Sequence, residues 1–447
     1  MFTPIGDRKP TKTNLKGNPI SLKLSSSSFK NFLIELQKMD FLIKEETYQI
    51  SVPRGERSNV VIEPRLSFQW YVRTDEMAKK ANEMVEKKVI RFHPNNWVKT
   101  YFNWMNNIED WCISRQIWWG HRIPAWYDKN KNIYVGRSEA EIRKKNSISG
   151  LLTRDEDVLD TWFSSQLWTF ATLGLPKKTK KLEKFHPTSI LVTGFDIIFF
   201  WVARMIMISQ KFLKEPPFKQ VFIHGLVRDS EGQKMSKSKG NIIDPIDVID
   251  GIALEKLIDK RTENLMVPNL KEKIKKTTKK EFPLGISPYG TDALRLTFTS
   301  LASGSRDINF DLKRVEGYRN FCNKLWNASR FIKLQTKDYK KTGKLSEHQT
   351  DKWIRSEFND CLNKYTDHIE NSRFDLATQI LYEFIWDKLC DWYIEFIKIR
   401  INDEQLSKRD KNFIINSLLD IFEKTLKLAH PIMPFITEEI WQSFKEV

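Results

Sequence analysis

The sequence has 447 residues, of which 40% are hydrophobic, and it contains 17 glycines and 17 prolines. This composition is typical of a globular protein of about two to four domains, and it excludes a disordered chain. The formal net charge of +17 favours a polyanionic partner such as nucleic acid, although a lysine-rich composition can also reflect nucleotide bias.

The cysteine and hydropathy patterns bear on compartment. The four cysteines form no CxxC pair, so a zinc ribbon or a redox motif is unsupported, and sparse cysteines fit a reducing cytoplasm. The longest apolar stretch, residues 197–208, contains Arg204 and is too short to span a bilayer. We therefore expect a cytoplasmic protein that has no membrane partner.

The amino-terminal residues give few signals. Residues 1–28 contain prolines, a glycine and a run of four serines, which is typical of an irregular leader. Apolar residues in 29–39 recur at helical spacing and predict a helix. Residues 53–57 indicate a turn, and residues 60–64 predict a short strand after it.

Residues 111–126 are dense in tryptophan and arginine. One interpretation is a buried aromatic turn in which Arg115 and Arg122 stack on tryptophan rings. The other is the lining of a nucleotide or tRNA channel, where rings stack on bases and arginines attract phosphates. These residues alone favour neither interpretation, and a lone histidine such as His121 is more often structural than catalytic.

Clustered carboxylates occur in residues 155–160, directly before a short run of small residues. Such a cluster could serve acid–base chemistry or bind Mg²⁺. Acidic residues in the first turn of a helix are the more common arrangement. Trp162 stands beside serines, so its flat ring could form one wall of a small apolar pocket.

Residues 190–227 have the pattern of a β-α-β unit. The apolar run 190–194 predicts a buried strand, residues 195–206 predict a largely buried helix, and residues 220–227 predict a second strand. Strands joined by a helix are parallel, with a right-handed crossover. The sequence therefore predicts a parallel sheet.

Ligands of parallel sheets bind at the carboxyl ends of the strands. Gly194 and Asp196 occupy one such end, and His224 and Gly225 occupy the other. Glycine permits a close backbone approach, and aspartate can accept a hydrogen bond from a ribose hydroxyl or an ammonium group. A helix cap at Asp196 is the structural alternative.

The segment 234–238, Lys-Met-Ser-Lys-Ser, follows the second strand and lies between Gly232 and Gly240. The glycines indicate a mobile polar loop. Two ammonium groups and two hydroxyls can surround a polyphosphate and stabilise the charge that grows on a leaving pyrophosphate. A solvated basic turn is the alternative.

The remaining sequence contains a basic run and a helical region. Residues 271–280 are rich in lysine; such runs are usually solvated faces, and contact with tRNA phosphates is the alternative. From residue 315 onward, apolar residues recur at helical spacing. This periodicity predicts an α-helical bundle behind the α/β domain.

Several segments together resemble valyl-tRNA synthetases, a family of class I aminoacyl-tRNA synthetases, from about residue 43 to the end. The lysine loop and the ISRQ-x-x-WG frame are shared with the isoleucine and leucine enzymes, whereas WGHRIP and GFDIIFFW resemble the valine form. The segments are VVIEPRLSFQWYV, WCISRQIWWGHRIPAWY, EDVLDTWFSS, TGFDIIFFWVARMI, GQKMSKSKGN, GTDALR, GYRNFCNKLWNASRF and PIMPFITEEIW.

The resemblance implies a valine–tRNA ligase that uses ATP with Mg²⁺. Such an enzyme makes valyl-adenylate and pyrophosphate, then transfers valine to the 3′ end of tRNA(Val). It implies that Lys237 and Lys234 are catalytic and stabilise the leaving phosphates. The other implied contacts are Lys237, Gly194, Asp196, His224, Gly225, Ser236 and Ser238 for ATP or the adenylate, and Trp162 and Ile197 for the valine side chain.

The resemblance also implies three parts. Residues 1–42 would be an irregular leader with a remnant of an inserted editing domain. Residues 43–314 would be the carboxyl-terminal half of a Rossmann-like catalytic domain, and 315–447 a helical anticodon-binding domain. The half that carries the HxGH motif is missing, and His121 does not replace it. We expect either a synthetase half that needs an amino-terminal partner carrying HxGH, or a non-catalytic tRNA-binding remnant.

Overall fold

The structure is a computed structural model that describes residues 26–44, 53–54, 60–62, 67–236, 239–263, 265, 270–304, 307–337, 339–340 and 344–444. Its α-helices are α1 (Ser26–Lys38), α2 (Asp75–Glu86), α3 (Trp97–Met105), α4 (Glu139–Asn146), α5 (Thr161–Ser165), α6 (Trp168–Ala171), α7 (Lys180–Phe185), α8 (Ala203–Leu213), α9 (Pro245–Asp250), α10 (Leu254–Thr262), α11 (Lys271–Glu281), α12 (Thr291–Leu301), α13 (Leu312–Gln335), α14 (Gln349–Glu370), α15 (Phe374–Glu383), α16 (Ile394–Ile401), α17 (Lys408–Ala429) and α18 (Pro434–Ser443).

The strands are short, and most belong to small sheets. They are β1 (Tyr71–Val72), β2 (Arg91–His93), β3 (Trp111–Cys112), β4 (Ser114–Arg115), β5 (Ala125–Tyr127), β6 (Ile133–Val135), β7 (Thr153–Arg154), β8 (Val158–Leu159), β9 (Thr188–Gly194), β10 (Phe218–His224), β11 (Leu226–Arg228) and β12 (Asp307–Asn309).

The chain divides into two compact units, which are described separately. The first unit contains the described residues up to Glu76 together with Ile108–Ser164. The second contains Met77–Asn107 and the described residues from Ser165 onward.

The first unit is built from antiparallel strand pairs around a tryptophan-rich core. β1 pairs with β3, β4 pairs with β8, and β5 lies between β6 and β7. Trp70 and Trp111 are buried in this core. Each indole nitrogen donates to a carboxylate, Trp70 to Asp155 at 2.8 Å and Trp111 to Asp160 at 3.1 Å.

The second unit contains the predicted parallel sheet, and its strand order is β2-β10-β9. β10 pairs in parallel with both neighbours, so the predicted β-α-β pairing is confirmed. The connecting segment begins with a 3₁₀ turn, Phe195–Ile197, continues through a π-helical turn, Ile198–Val202, and ends as α8.

Two details of the predicted sheet are wrong. The second strand does not run through residue 227, because β10 ends at His224 and β11 pairs in parallel with β12 instead. The first strand is not buried on both faces: Ile190 is 37% exposed and Val192 is 56% exposed. The reason is its position, since β9 lies at the edge of the sheet that the structure describes.

The helical region predicted from residue 315 is confirmed, and together with the parallel sheet it confirms the predicted fold class. α13 to α18 enclose one large apolar core, to which Leu296 of α12 also contributes. α15 and α16 are joined by continuous π-helical turns, Phe384–Tyr393. α13 begins at Leu312, so the helix crosses the expected domain boundary at 314/315, and the division into three parts stays a prediction.

The amino-terminal expectations fall mostly outside the described residues. α1 begins at Ser26, so the end of the segment that we expected to be irregular is helical. In the predicted strand 60–64, the structure describes 60–62, where Val61 forms an antiparallel bridge with Arg54. Among the described helices, none is long and apolar enough to cross a membrane.

The buried carboxylate of Asp351 is a test of packing in the helical region. Asp351 is 0% exposed; it accepts a hydrogen bond from the Tyr393 hydroxyl at 2.6 Å and pairs with Arg400 at 2.8 Å. Asp351→Ala leaves a buried cation without its partner, which costs about 3–5 kcal/mol. We expect the free energy of unfolding, measured by urea denaturation with circular dichroism, to fall by about that amount.

The control is Asp360→Ala on the same helix. Asp360 makes an exposed pair with Lys364 at 2.7 Å, and such pairs contribute about 0.3–0.5 kcal/mol. Equal effects of the two substitutions would contradict the importance of the buried pair.

Candidate functional site

Three residues predicted to bind the adenylate come together at the carboxyl ends of β9 and β10. Gly194 stands opposite His224 in the parallel register. A Cβ atom at Gly194 would lie 2.6 Å from Oδ1 of Asp196 and 3.6 Å from Cε1 of His224. Any side chain at position 194 would therefore fill the space between these two polar groups, and glycine keeps that space open.

The carboxylate of Asp196 is available to a ligand. Gly194 is the residue that precedes the 3₁₀ turn, and Asp196 lies within the turn, so Asp196 is not the cap. Its side chain is exposed, whereas Gly194 and Gly225 are buried. An exposed carboxylate above two buried glycines can accept hydrogen bonds from a hydroxyl or an ammonium group.

The imidazole of His224 has a defined orientation. Its Nδ1 lies 2.8 Å from the carbonyl oxygen of Gly225. A carbonyl oxygen only accepts, so this hydrogen bond needs a proton on Nδ1. In the neutral ring Nε2 is then the acceptor, and its lone pair is available to a ligand N–H or O–H.

The two residues expected to contact valine belong to different units. Trp162 is half-buried and packs against the tryptophan-rich core of the first unit. Its backbone nitrogen donates to Asp160 at 3.0 Å. Ile197 is half-buried in the 3₁₀ turn of the second unit. The valine pocket stays a prediction.

The lysine loop is described from its start to Ser236, and Lys237 and Ser238 lie outside the described residues. Lys234 is exposed and forms an antiparallel bridge with Arg228, at the end of β11. The loop therefore leaves the strand and returns beside it, which places the ammonium-bearing residue Lys234 next to the strand end.

Asp229 organises the first half of this loop. Its side chain is almost buried, at 9% exposed. Oδ1 accepts from the backbone nitrogen of Gln233 at 2.6 Å and from that of Glu231 at 3.2 Å. These bonds close a turn in which the aspartate replaces backbone acceptors.

Asn241 joins the two halves of the loop. Its amide nitrogen donates to Oδ2 of Asp229 at 2.8 Å and to the carbonyl oxygen of Lys234 at 3.3 Å. Its Oδ1 accepts from the backbone nitrogen of Ser236 at 3.0 Å. Our sequence reasoning missed both residues, although aspartate and asparagine beside glycine are typical of such turns.

Gly240 is required where the loop ends. Its φ is +64°, and a Cβ there would lie 2.7 Å from Cδ1 of Ile274 on α11. A larger residue would be strained by the backbone angle and would collide with α11. The end of the lysine loop is thus packed directly against that helix.

The tryptophan-rich segment of the first unit fits neither expectation in full. Trp118 and Trp119 are fully exposed, so the predicted buried aromatic turn is wrong for them. Arg115 does not use a ring as its main partner; it pairs with Asp160 at 2.6 Å. Arg122 donates to the carbonyl oxygen of Asp155 at 2.8 Å.

The clustered carboxylates of this unit support structure. Asp155 accepts from the Tyr127 hydroxyl at 2.6 Å as well as from Trp70. Burial, together with the hydrogen bond and the charge of Asp155, raises the pKa of the Tyr127 phenol. The described residues bring together no group of three His, Cys, Asp or Glu side chains that could hold a metal ion.

Comparisons with known proteins decide the family. A family model described as "tRNA synthetases class I (I, L, M and V)" matches residues 23–311. The chain belongs to the class I tRNA synthetases. A second model, "Anticodon-binding domain of tRNA ligase", matches residues 351–447, so the synthetase sheet is followed by a helical domain of that kind.

Curated relatives of this synthetase chain are valine–tRNA ligases. The one from Legionella pneumophila (strain Paris) is 57% identical over 413 residues, which cover 91% of this chain and 45% of the relative. The one from Francisella tularensis subsp. tularensis (strain SCHU S4 / Schu 4) is 53% identical over 418 residues, covering 93% and 46%. The chain thus spans about half the length of the curated relatives it matches.

Solved structures agree with the synthetase fold. Methionyl-tRNA synthetase of Mycobacterium tuberculosis in complex with methionyl-adenylate has a TM-score of 0.61 and 15% identity, covering 87% of this chain and 65% of that one. Agrobacterium radiobacter K84 agnB2 LeuRS, solved with tRNA and LeuAMS, has a TM-score of 0.53 and 17% identity, covering 75% and 41%. At these identities the likeness concerns the fold alone.

The role of Asn241 in the lysine loop can be tested without catalysis. Asn241→Ala removes the bonds to Asp229, Lys234 and Ser236, each worth about 1 kcal/mol, or roughly a fivefold change in an opening equilibrium. We expect faster hydrogen exchange of the Ser236 amide, by about fivefold or more, and faster tryptic cleavage after Lys234.

Asn107→Ala is the matched control, because Asn107 makes an exposed local bond to the carbonyl oxygen of Asn103 at 2.9 Å. Unchanged exchange at Ser236 in the Asn241 variant would contradict the assignment.

Proposed function

We propose that this chain supplies the lysine-loop part of a valine–tRNA ligase, which activates valine with ATP and transfers it to tRNA(Val). One observation carries the proposal. Gly194, Asp196 and His224 converge at the carboxyl ends of a parallel sheet, in a chain that is 57% identical to a valine–tRNA ligase. Ligands of open parallel sheets bind at such ends.

The activation step would follow from these residues. The valine carboxylate oxygen attacks the α-phosphorus of ATP, the bond from that phosphorus to the bridging oxygen breaks, and pyrophosphate leaves with the electron pair. Lys234 and Lys237 would stabilise the charge on the leaving group. Ser236 and Ser238 would donate hydrogen bonds to its oxygens. Mg²⁺ would accompany ATP and offset phosphate charge.

The adenylate would be held on the sheet side of the cleft. Asp196 would accept from the ribose or from the valine ammonium group, and His224 and Gly225 would lie beside the adenine. Gly194 would let the ligand approach the backbone. Trp162 and Ile197 would wall the valine side chain. Such a pocket separates side chains that differ by one methylene by about 1–3 kcal/mol.

The exposed edge of the sheet supports an amino-terminal partner. Val192 of β9 is exposed, whereas Phe222, opposite it on β10, is buried and packs against Phe374 at a ring distance of 5.2 Å. Parallel sheets normally have both faces covered. We propose that a synthetase segment carrying HxGH covers this part of β9 and supplies the other side of the ATP cleft.

The helical region would bind tRNA(Val). The match of residues 351–447 to an anticodon-binding domain and the net charge of +17 support this partner, because phosphate contacts supply much of the affinity for nucleic acid. A translation enzyme of this kind would act in the cytoplasm. The alternative, a non-catalytic tRNA-binding protein, is favoured by the lack of an HxGH motif in the sequence.

The catalytic role of the lysine loop predicts a specific loss of activity. In an assembly with an amino-terminal fragment of the Legionella pneumophila relative, Lys237→Ala should lower valine-dependent ATP–pyrophosphate exchange about a hundredfold or more. The KM for valine should change little, because the loop stabilises charge that develops in the transition state. Lys219→Ala, at an exposed position of β10, is the control. Unchanged exchange in the Lys237 variant would remove the loop from catalysis.

The need for a partner predicts the behaviour of the chain by itself. The purified chain should give no valine-dependent exchange, and activity should appear when the amino-terminal fragment is added. Val192→Glu should reduce this recovery by about tenfold or more, because one exposed face of β9 would then bury a charge on assembly. Lys177→Glu, at an exposed site, is the control. Substantial exchange by the chain alone would overturn the need for a partner.

A further inference from the structure

Helix α11 has a basic solvent face and a small apolar face. Ile274 and Thr278 are buried, and they follow each other at a spacing of four residues, so they mark the packed side of the helix. The exposed lysines on the opposite side, none of which makes an ion pair with a residue that the structure describes, are Lys273, Lys276, Lys279 and Lys280.

The remaining charges of α11 do not neutralise this face. Lys275 pairs with Glu272 at 3.0 Å, and Glu281 pairs with Arg261 of α10 at 3.2 Å. Lysines three or four positions apart on a helix repel one another by about 0.2–0.5 kcal/mol per pair. The face therefore destabilises the free helix slightly, and a polyanion bound to it would relieve the repulsion.

The position of α11 is fixed by contacts on its inner side. The guanidinium of Arg261 lies 4.7 Å from the ring centre of Phe282, which directly follows the helix. Ile274 occupies the space beside Gly240 at the end of the lysine loop. The basic face is thus held on a rigid support next to the loop that we assign to the ATP phosphates.

We propose that the solvent face of α11 is a contact surface for the phosphate backbone of RNA, and that tRNA uses it beside the lysine loop. The inference rests on the proposed function and adds a second tRNA contact outside the anticodon-binding domain. The four lysines span about 10 Å along the helix axis. Flexible ammonium groups in a row suit phosphates and carry no base specificity.

The test measures tRNA binding to the full chain by fluorescence anisotropy over a series of salt concentrations. The variant carries Lys273→Gln, Lys276→Gln, Lys279→Gln and Lys280→Gln together. Each lost phosphate contact should reduce the slope of log K against log salt by about 0.7–0.9. We expect a slope smaller by about 2–3 and an affinity at least about tenfold lower at 0.1 M salt.

The control variant removes the same charge from the first unit. It carries Lys129→Gln, Lys131→Gln, Lys144→Gln and Lys145→Gln, all at exposed positions. Circular dichroism of both variants checks that the fold is intact. Equal losses of slope in the two variants would mean that only net charge matters and would overturn the proposal.

The outcomes separate this inference from the proposed function. A wild-type chain that does not bind tRNA would overturn both. Binding with an unchanged slope in the α11 variant would overturn only the role of α11 and leave tRNA as a partner. If the α11 variant binds tRNA normally but loses binding to poly-L-glutamate, the face belongs to an acidic protein partner and the proposal is wrong.

Discussion

The parallel pairing of β9 with β10 is the interaction on which the candidate site depends. The register places Gly194 opposite His224, and the tight space at Gly194 then brings Asp196 beside them. The same strand, β10, leads within a few residues to β11 and the lysine loop. A slip of one residue in this register would turn every side chain of β9 to the opposite face, and the cluster would be lost.

Polar side chains, more than the apolar core, define the shape of the lysine loop. Asp229 and Asn241 replace the hydrogen bonds that a regular strand pair would supply. This solution leaves Lys234 exposed while the backbone on both sides is held. A loop that must bind a polyphosphate and release pyrophosphate benefits from such an arrangement, because its cations remain solvated while its ends stay ordered.

Two segments that resemble the family also bind each other. Asp292, in GTDALR, accepts from the backbone nitrogen of Ile436 at 2.6 Å, at the start of α18. Arg295, in the same segment, donates to the carbonyl oxygens of Ile432 at 2.9 Å and Pro431 at 3.0 Å. These contacts join α12 to PIMPFITEEIW, so both segments stabilise the helical region. A resemblance in such segments therefore indicates fold as well as chemistry.

Local patterns in the sequence were sufficient for the elements that depend on them. Apolar runs and helical periodicity predicted β9, β10 and the helical bundle, and glycines marked the limits of the lysine loop. The tertiary structure decided the rest. Whether Val192 is covered, whether Asp155 binds a metal or an indole, and that Asn241 reaches back to Asp229 all depend on residues distant in sequence. No local pattern contains that information, because burial and hydrogen bonding are set by which segments meet in space.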